Sequence, residues 1–224
     1  MTYYSEYSKV WVSVDCIIFG FENGKLKVLL GRRKMEPGKG MLSLYGGFVR
    51  PDESIDACAE RTLQELTGLK HLYMQQVGAF GNVERDPGER VISIAYYALI
   101  NVKDYDEKLR KAFDAQWVDI NAVPQLYSDH HLMINKATEQ MRQIIKTNPI
   151  GFNLLPTLFT LTQLQRLYEA VLGEEIDKRN FRKRIKDLDC IEKTELVDKL
   201  TSKRGAALYR FNKKAYNEVK TFKL

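Results

Sequence analysis

Two stretches of this sequence place residues in patterns that could do chemistry, and both concern phosphate. The first is GFVRPDESIDACAERTLQELTGL, residues 47–69, a glycine-led loop followed by a helix that bears Glu53, Arg61 and Glu65. It has the layout of a phosphate-handling helix with most of the phosphate-handling carboxylates missing. The second is DKRNFRKRIKDL, residues 177–188, in which Phe181, Ile185 and Leu188 fall at i, i+4 and i+7 on one stripe. Arg179, Arg182, Lys183 and Lys186 fall on the opposite face. Such a helix suits insertion into a major groove, where guanidinium forks meet guanine edges and ammonium groups meet phosphates.

Each stretch needs elements to hold it. From Val10 the run VWVSVDCIIFGF is rich in β-branched and aromatic residues, and ENGKLKVLLGRR follows with an Asn23–Gly24 turn, so the pattern predicts a β-hairpin. MLSLYGGF continues as a short strand running into glycines. Asp52 reads as the N-cap of a helix whose apolar residues Ile55, Ala59, Leu63 and Leu66 recur until Gly68. HLYMQQVGAF and RVISIAYYALINV read as strands joined by the polar loop GNVERDPGE. A helix-like stretch at 107–113, a strand at AQWVDI and a helix from Asp129 to Lys146 complete a first domain, residues 1–150. This order predicts an α/β (α+β) unit with a central mixed sheet between helices.

TNPIGFNLLPT then breaks the periodicity with two prolines and a glycine, and sets off a second domain at 151–224. In it, TLTQLQRLYEAVLG is an amphipathic helix ending at Gly173, with Leu161, Leu164, Leu167, Tyr168 and Val171 as its apolar stripe. The short connection GEEI leads to the basic helix, capped by Asp177. Two strand-like runs, CIEKTELV and ALYRFN, then flank the basic loop DKLTSKRGA.

The 224 residues, 44% of them hydrophobic, suffice for a medium domain and a small one. Residues 1–150 carry 19 Lys+Arg and 19 Asp+Glu, whereas residues 151–224 carry 16 and 10, so all of the +6 net charge sits in the last third. A neutral body with a basic end points to a polyanionic partner for that end. The longest apolar run, VISIAYYALINV, is about half the length that crosses a bilayer. The start, MTYYSEYSKV, has neither a basic nor an apolar leader region, so a cytoplasmic location without membrane contact is expected. Cys16, Cys58 and Cys190 are too scattered for a disulfide framework or a zinc knuckle and read as small buried hydrophobes.

Residues 47–69 resemble a Nudix box, whose pattern is matched in register by Gly47, Glu53, Arg61, Leu63, Glu65, Gly68 and Leu69. In that family a trio of glutamates at the positions of 62, 65 and 66, spaced i, i+3 and i+4, holds magnesium or manganese against a diphosphate. Here Thr62 and Leu66 replace two of the three. The resemblance therefore implies a Nudix domain that does not hydrolyse, with no catalytic residue, bound metal or cofactor. Glu84 or Glu89 in the following loop could donate a missing ligand, while Glu53 and Arg61 should pair to hold the loop on the helix. Where many members have Pro-Gly-Gly, this chain has Tyr45-Gly46-Gly47, which could set an aromatic ring near the loop. ERDPGERVISIAYY is similar to a pocket-lining region of Nudix proteins that act on ADP-ribose-like compounds. Arg85 and Arg90 are thus either ligand contacts or solvated loop charges; Glu65 and Tyr45 join them as candidate ligand-binding residues. Arg32 and Arg33 lean toward ordinary strand-end charges.

The second domain resembles a winged helix, in which Lys203 and Arg204 of the loop would form the tip of the wing against phosphates or in the minor groove. Together the two domains resemble the Nudix-related transcriptional regulators. That likeness implies an N-terminal effector sensor and a winged helix that binds double-stranded operator DNA as a homodimer. The effector would be ADP-ribose or a related nucleotide, or a pentose sugar such as arabinose in a sugar-metabolism regulator. Loss of the metal ligands tilts the expectation toward the sugar. The rival reading is an active hydrolase of ADP-ribose-like nucleoside diphosphates with a basic C-terminal domain.

Overall fold

The computed structural model describes residue 3 and residues 5–68, 70–104, 107–199 and 205–219; Leu69, Lys203 and Arg204 lie outside the described residues. The hairpin expected from Asn23–Gly24 forms between β1 (Trp11–Glu22) and β2 (Lys25–Arg32). Both turn residues sit at positive φ, 54° and 75°, the left-handed pair that a two-residue turn matching strand twist requires. β1 pairs in parallel with β6 (Val91–Ile100) from Trp11 opposite Val91 to Gly20 opposite Ile100. On its other edge β1 pairs antiparallel with β2 at one end and with β4 (Tyr45–Phe48) at the other. β3 (Leu42–Ser43) and β7 (Ala115–Asp119) extend the sheet beyond β2, and β5 (Tyr73–Phe80) flanks β6, giving the mixed seven-stranded sheet.

Alternation along β1 sends successive residues to opposite faces, and both faces are covered. Val14, Cys16 and Ile18 meet α1 (Ile55–Thr67) through Cys58, Ala59, Leu63 and Leu66. Ile17 and Phe19 meet the other side, where Met133, Ile134, Ala137 and Met141 of α3 (His130–Ile144) pack; the short α2 (Glu107–Ala112) precedes β7. The N-cap of α1 is Ser54, whose hydroxyl accepts from Ala57 N at 3.1 Å; Asp52 lies two residues too early for that bond. Gly68, at φ 70°, ends the helix as its position in the pattern required. All three cysteines are buried free thiols.

The proline-containing break at residue 150 is a packed joint. Pro149–Leu154 forms a 3-10 turn that buries Ile150, Gly151 and Leu154. Beyond it come β8 (Phe159–Thr160), α4 (Leu161–Leu172), α5 (Lys178–Lys186), β9 (Ile191–Asp198), β10 (Ala206–Phe211) and α6 (Lys213–Val219). The strands form a small sheet in the order β8-β10-β9. β8 and α6 were not foreseen, since two residues and seven residues carry too little periodicity to read. Leu164, Leu167, Tyr168 and Val171 of α4 and Phe181 and Ile185 of α5 belong to the same continuous core as α3 and the large sheet. Arg142 Nε of α3 also donates to Val171 O at 2.8 Å.

A shared core predicts shared unfolding. Leu167→Ala, in the second lobe, should cost about 2–5 kcal/mol. It should lower the denaturant midpoint reported by the two tryptophans, Trp11 and Trp117, which both lie in the first lobe. A tryptophan transition left in place by Leu167→Ala would show that the lobes unfold separately.

Candidate functional site

The Nudix-like helix keeps the loop-to-helix tie of its pattern, with Thr62 and Leu66 at two of the three glutamate positions. Arg61 donates to Glu53 through Nε at 3.0 Å and Nη2 at 2.7 Å, and also to Phe48 O at 3.3 Å, so the pair ties loop to helix as expected. These bonds, with a further one from Arg50 N, lower the Glu53 carboxyl to about 2. Leu66 is 2% exposed and belongs to the core beneath α1, and Thr62 is also buried. Glu65 stands alone on the wet face, its side chain 59% exposed and 3.6 Å from Arg61 Nη1. Among the described residues no group of three or more His, Cys, Asp or Glu side chains could hold a metal, Glu84 and Glu89 included. Gly46 answers a packing need: a Cβ there would stand 2.4 Å from Val14 O and 2.6 Å from Asp15 Oδ1.

On the opposite face of the sheet lies a polar network that the sequence reading missed. Asp15, mid-strand in β1 and 8% exposed, accepts from Ser93 Oγ at 2.5 Å. Arg85 Nη2 approaches the same carboxylate at 3.6 Å, and Arg85 binds Asp129 through Nε at 3.0 Å and Nη2 at 2.8 Å. His130 Nδ1 accepts from Leu44 N at 3.0 Å, which leaves Nε2 as the protonated nitrogen, 3.5 Å from Asp15 Oδ1. Burial pushes the His130 pKa down against the pull of Asp15 and Asp129, so the ring stays neutral. Tyr127 adds its hydroxyl to Asp86 at 3.2 Å, and Ser128 Oγ donates to Arg85 O. An aspartate in the middle of an apolar strand was the available signal for this network.

The candidate ligand residues are therefore placed unevenly. Arg85 is inside the protein, its side chain 4% exposed and committed to Asp129, because a guanidinium buried there needs a carboxylate partner. Arg90 donates to the carbonyls of Gly81, Asn82 and Val91 and braces its own loop. Tyr45 points to the α1 side, where its hydroxyl donates to Phe113 O at 3.0 Å and its ring meets Phe113 edge-on, away from the loop it was expected to border. Arg33 stacks over Tyr127, 3.8 Å from the ring centroid, and Arg32 donates to Gly40 O.

In the second lobe α4 starts with a capping box between Thr160 and Gln163 and stops at Gly173, φ 74°. Gln165 Nε2 holds Ile176 O at 3.0 Å, fixing the turn into α5, and Asp177 caps α5 by accepting from Asn180 N at 2.8 Å. Phe181 and Ile185 are buried and Leu188 is partly so, which turns Arg179, Arg182, Lys183 and Lys186 to solvent. Arg184 is exposed as well, a cation the sequence reading omitted because it lies on the helix flank. β9 and β10 form the hairpin that follows.

A Nudix-type sheet whose helix has Thr62 and Leu66 at two of three glutamate positions, fused to a winged helix whose α5 turns its cations to solvent, defines a ligand-responsive transcriptional regulator. Residues 9–140 match the model of the NUDIX domain, and residues 151–211 match that of the NrtR DNA-binding winged helix domain. The chain is 36% identical over 217 residues to the ADPR responsive transcriptional repressor NtrR of Acinetobacter baylyi, covering 95% of this chain and 86% of that one. It is also similar to Shewanella oneidensis NrtR complexed with a 27mer DNA, with TM-score 0.81 and 30% identity over 94% of this chain and 97% of the other. The NUDIX domain of that Shewanella protein complexed with ADP ribose aligns with TM-score 0.50 and 26% identity, over 61% of this chain and 91% of the other. The chain belongs to the NrtR family of Nudix-related transcriptional regulators. No helix among the described residues is long and apolar enough to cross a membrane.

Two predictions follow from the paired charges. Arg85→Ala leaves Asp129 and Asp15 buried without their cation and should destabilise the protein by about 3–5 kcal/mol in urea titration; unchanged stability would remove the pair from the scaffold. Glu53 has a folded pKa of about 2, below its unfolded value of about 4.3. Its stabilisation is complete above the unfolded value and is lost as pH falls toward 2. Arg61→Ala should return the Glu53 titration, followed by NMR, to the ordinary carboxylate range.

Proposed function

We propose that this chain is a homodimeric, ADP-ribose-responsive repressor that binds operator DNA through α5 and the β9–β10 hairpin and has no hydrolase activity. One observation carries the reading: the same chain turns four expected cations of α5 to solvent and buries Thr62 and Leu66 where a hydrolase would present carboxylates. Full-length likeness to a relative named as an ADPR responsive repressor supports the effector, as does likeness to a NUDIX domain complexed with ADP ribose. A pentose sugar finds no such support. The inference toward a sugar ran from missing metal ligands, yet those ligands activate water, and a diphosphate can be held by N–H donors without being cleaved.

The effector signal has a physical route. α3 begins beside the Arg85–Asp129 pair and ends at the Arg142–Val171 bond to α4, so a change in the loop carrying Arg85 reaches the winged helix through one rigid element.

Fluorescence anisotropy with duplex DNA from the regions flanking the gene tests this reading. Binding should fall steeply with salt. ADP-ribose should shift the affinity and arabinose should not. Arg182→Ala should weaken specific binding by about 1–3 kcal/mol if it reads a base. Metal-dependent cleavage of ADP-ribose, abolished by Glu65→Ala, would overturn the non-enzymatic assignment.

A further inference from the structure

A cleft lies between the two lobes, away from the Nudix helix. Its volume is about 940 Å³, within the roughly 300–1,000 Å³ of small-molecule sites. The turn after β1 forms one wall, the connector at residues 154–156 the floor, and α4, α5 and the start of β10 the other wall.

The lining has a consistent chemistry. Lys103 of the first lobe, Arg166 of α4, and Arg182 and Lys186 of α5 all border it. Among the described residues none of these four side chains is ion-paired to a carboxylate. Glu22, the single acid in the lining among the described residues, is held by Lys27 at 2.8 Å. Glu169, one turn along α4 from Arg166, already accepts from Gln165 Nε2 and Ile176 N. These four cations border the cleft, and Arg166 also borders an adjoining depression lined by Glu169, Glu174 and Glu175. Phe21 and Tyr209, both half-buried against the core, add aromatic surface to the lining. Four free cations and two rings around a volume of this size fit a phosphate ester that carries a planar base.

We propose that the interlobe cleft is a second ligand site, separate from the Nudix pocket, that takes a phosphate-bearing ligand of nucleotide size and opposes DNA binding when filled. The opposition arises because Arg182 and Lys186 serve both partners; this half rests on α5 being the helix that meets DNA. An anion held by them lowers the positive potential that α5 offers to phosphates.

The test uses the full chain with ADP, inorganic pyrophosphate and adenosine as probes in calorimetry, and operator displacement by anisotropy at constant ionic strength. Lys103→Ala/Arg166→Ala removes two exposed cations that lie off α5. ADP should bind the wild type more tightly than pyrophosphate or adenosine and should displace operator. The double variant should lose about tenfold or more in ADP affinity and keep its operator affinity. ADP affinity unchanged in the double variant would overturn the site. Operator affinity falling in the variant without any ADP binding would assign the cleft to DNA backbone and likewise overturn it. The response of the double variant to ADP-ribose separates the two readings: a retained shift leaves the Nudix-lobe effector assignment standing whatever the fate of the cleft.

Discussion

Strand β1 is buried from Val14 to Gly20, and most of the first lobe follows from that constraint. A strand without water on either face must be covered twice, and its alternation assigns Val14, Cys16 and Ile18 to α1 and Ile17 and Phe19 to α3. Asp15 is the exception in this run. A carboxylate at that depth must be compensated, and Ser93, Arg85 and His130 come from three other parts of the chain to do so. The loop after β5 and the start of α3 are thereby fixed against the sheet.

The same constraint sets how the lobes communicate. α3 is 15 residues long, about 22 Å at helical rise. Its first turn carries the Asp129 and His130 contacts, and its last turn packs on α4 and donates through Arg142. The hydrophobic core runs without interruption from the sheet through α3 into α4 and α5, so the lobes share one packed core. Close-packed interiors shift between discrete arrangements, and the proposed passage of a ligand signal through this joint would use that property.

The Nudix helix keeps the contacts that shape it, although two of its three glutamate positions hold other residues. The Glu53–Arg61 pair, the Ser54 cap and Gly68 are intact, so loop and helix keep their geometry. The substitutions fall at Thr62 and Leu66, and Leu66 has joined the core beneath the helix. Thr62 and Leu66 are buried, whereas the Glu65 side chain is exposed.

Local patterns were legible in the sequence because their physics is local. The Asn23–Gly24 turn, the stop at Gly68, the Asp177 cap and the apolar stripes of α4 and α5 depend on neighbours a few residues away. The register of the Nudix box likewise showed which carboxylates were missing. The sequence alone thus determined the pattern of the Nudix helix, with its two missing glutamates, and the basic amphipathic helix α5. Tertiary structure decided which charges stay free. Arg85 and Arg182 look alike in the sequence, but Arg85 is enclosed by Asp129 and Asp15 from distant segments, whereas Arg182 meets no carboxylate among the described residues and opens onto a cleft between lobes. The fate of a charge depends on burial and on partners remote in sequence, and the chain must close on itself before either exists.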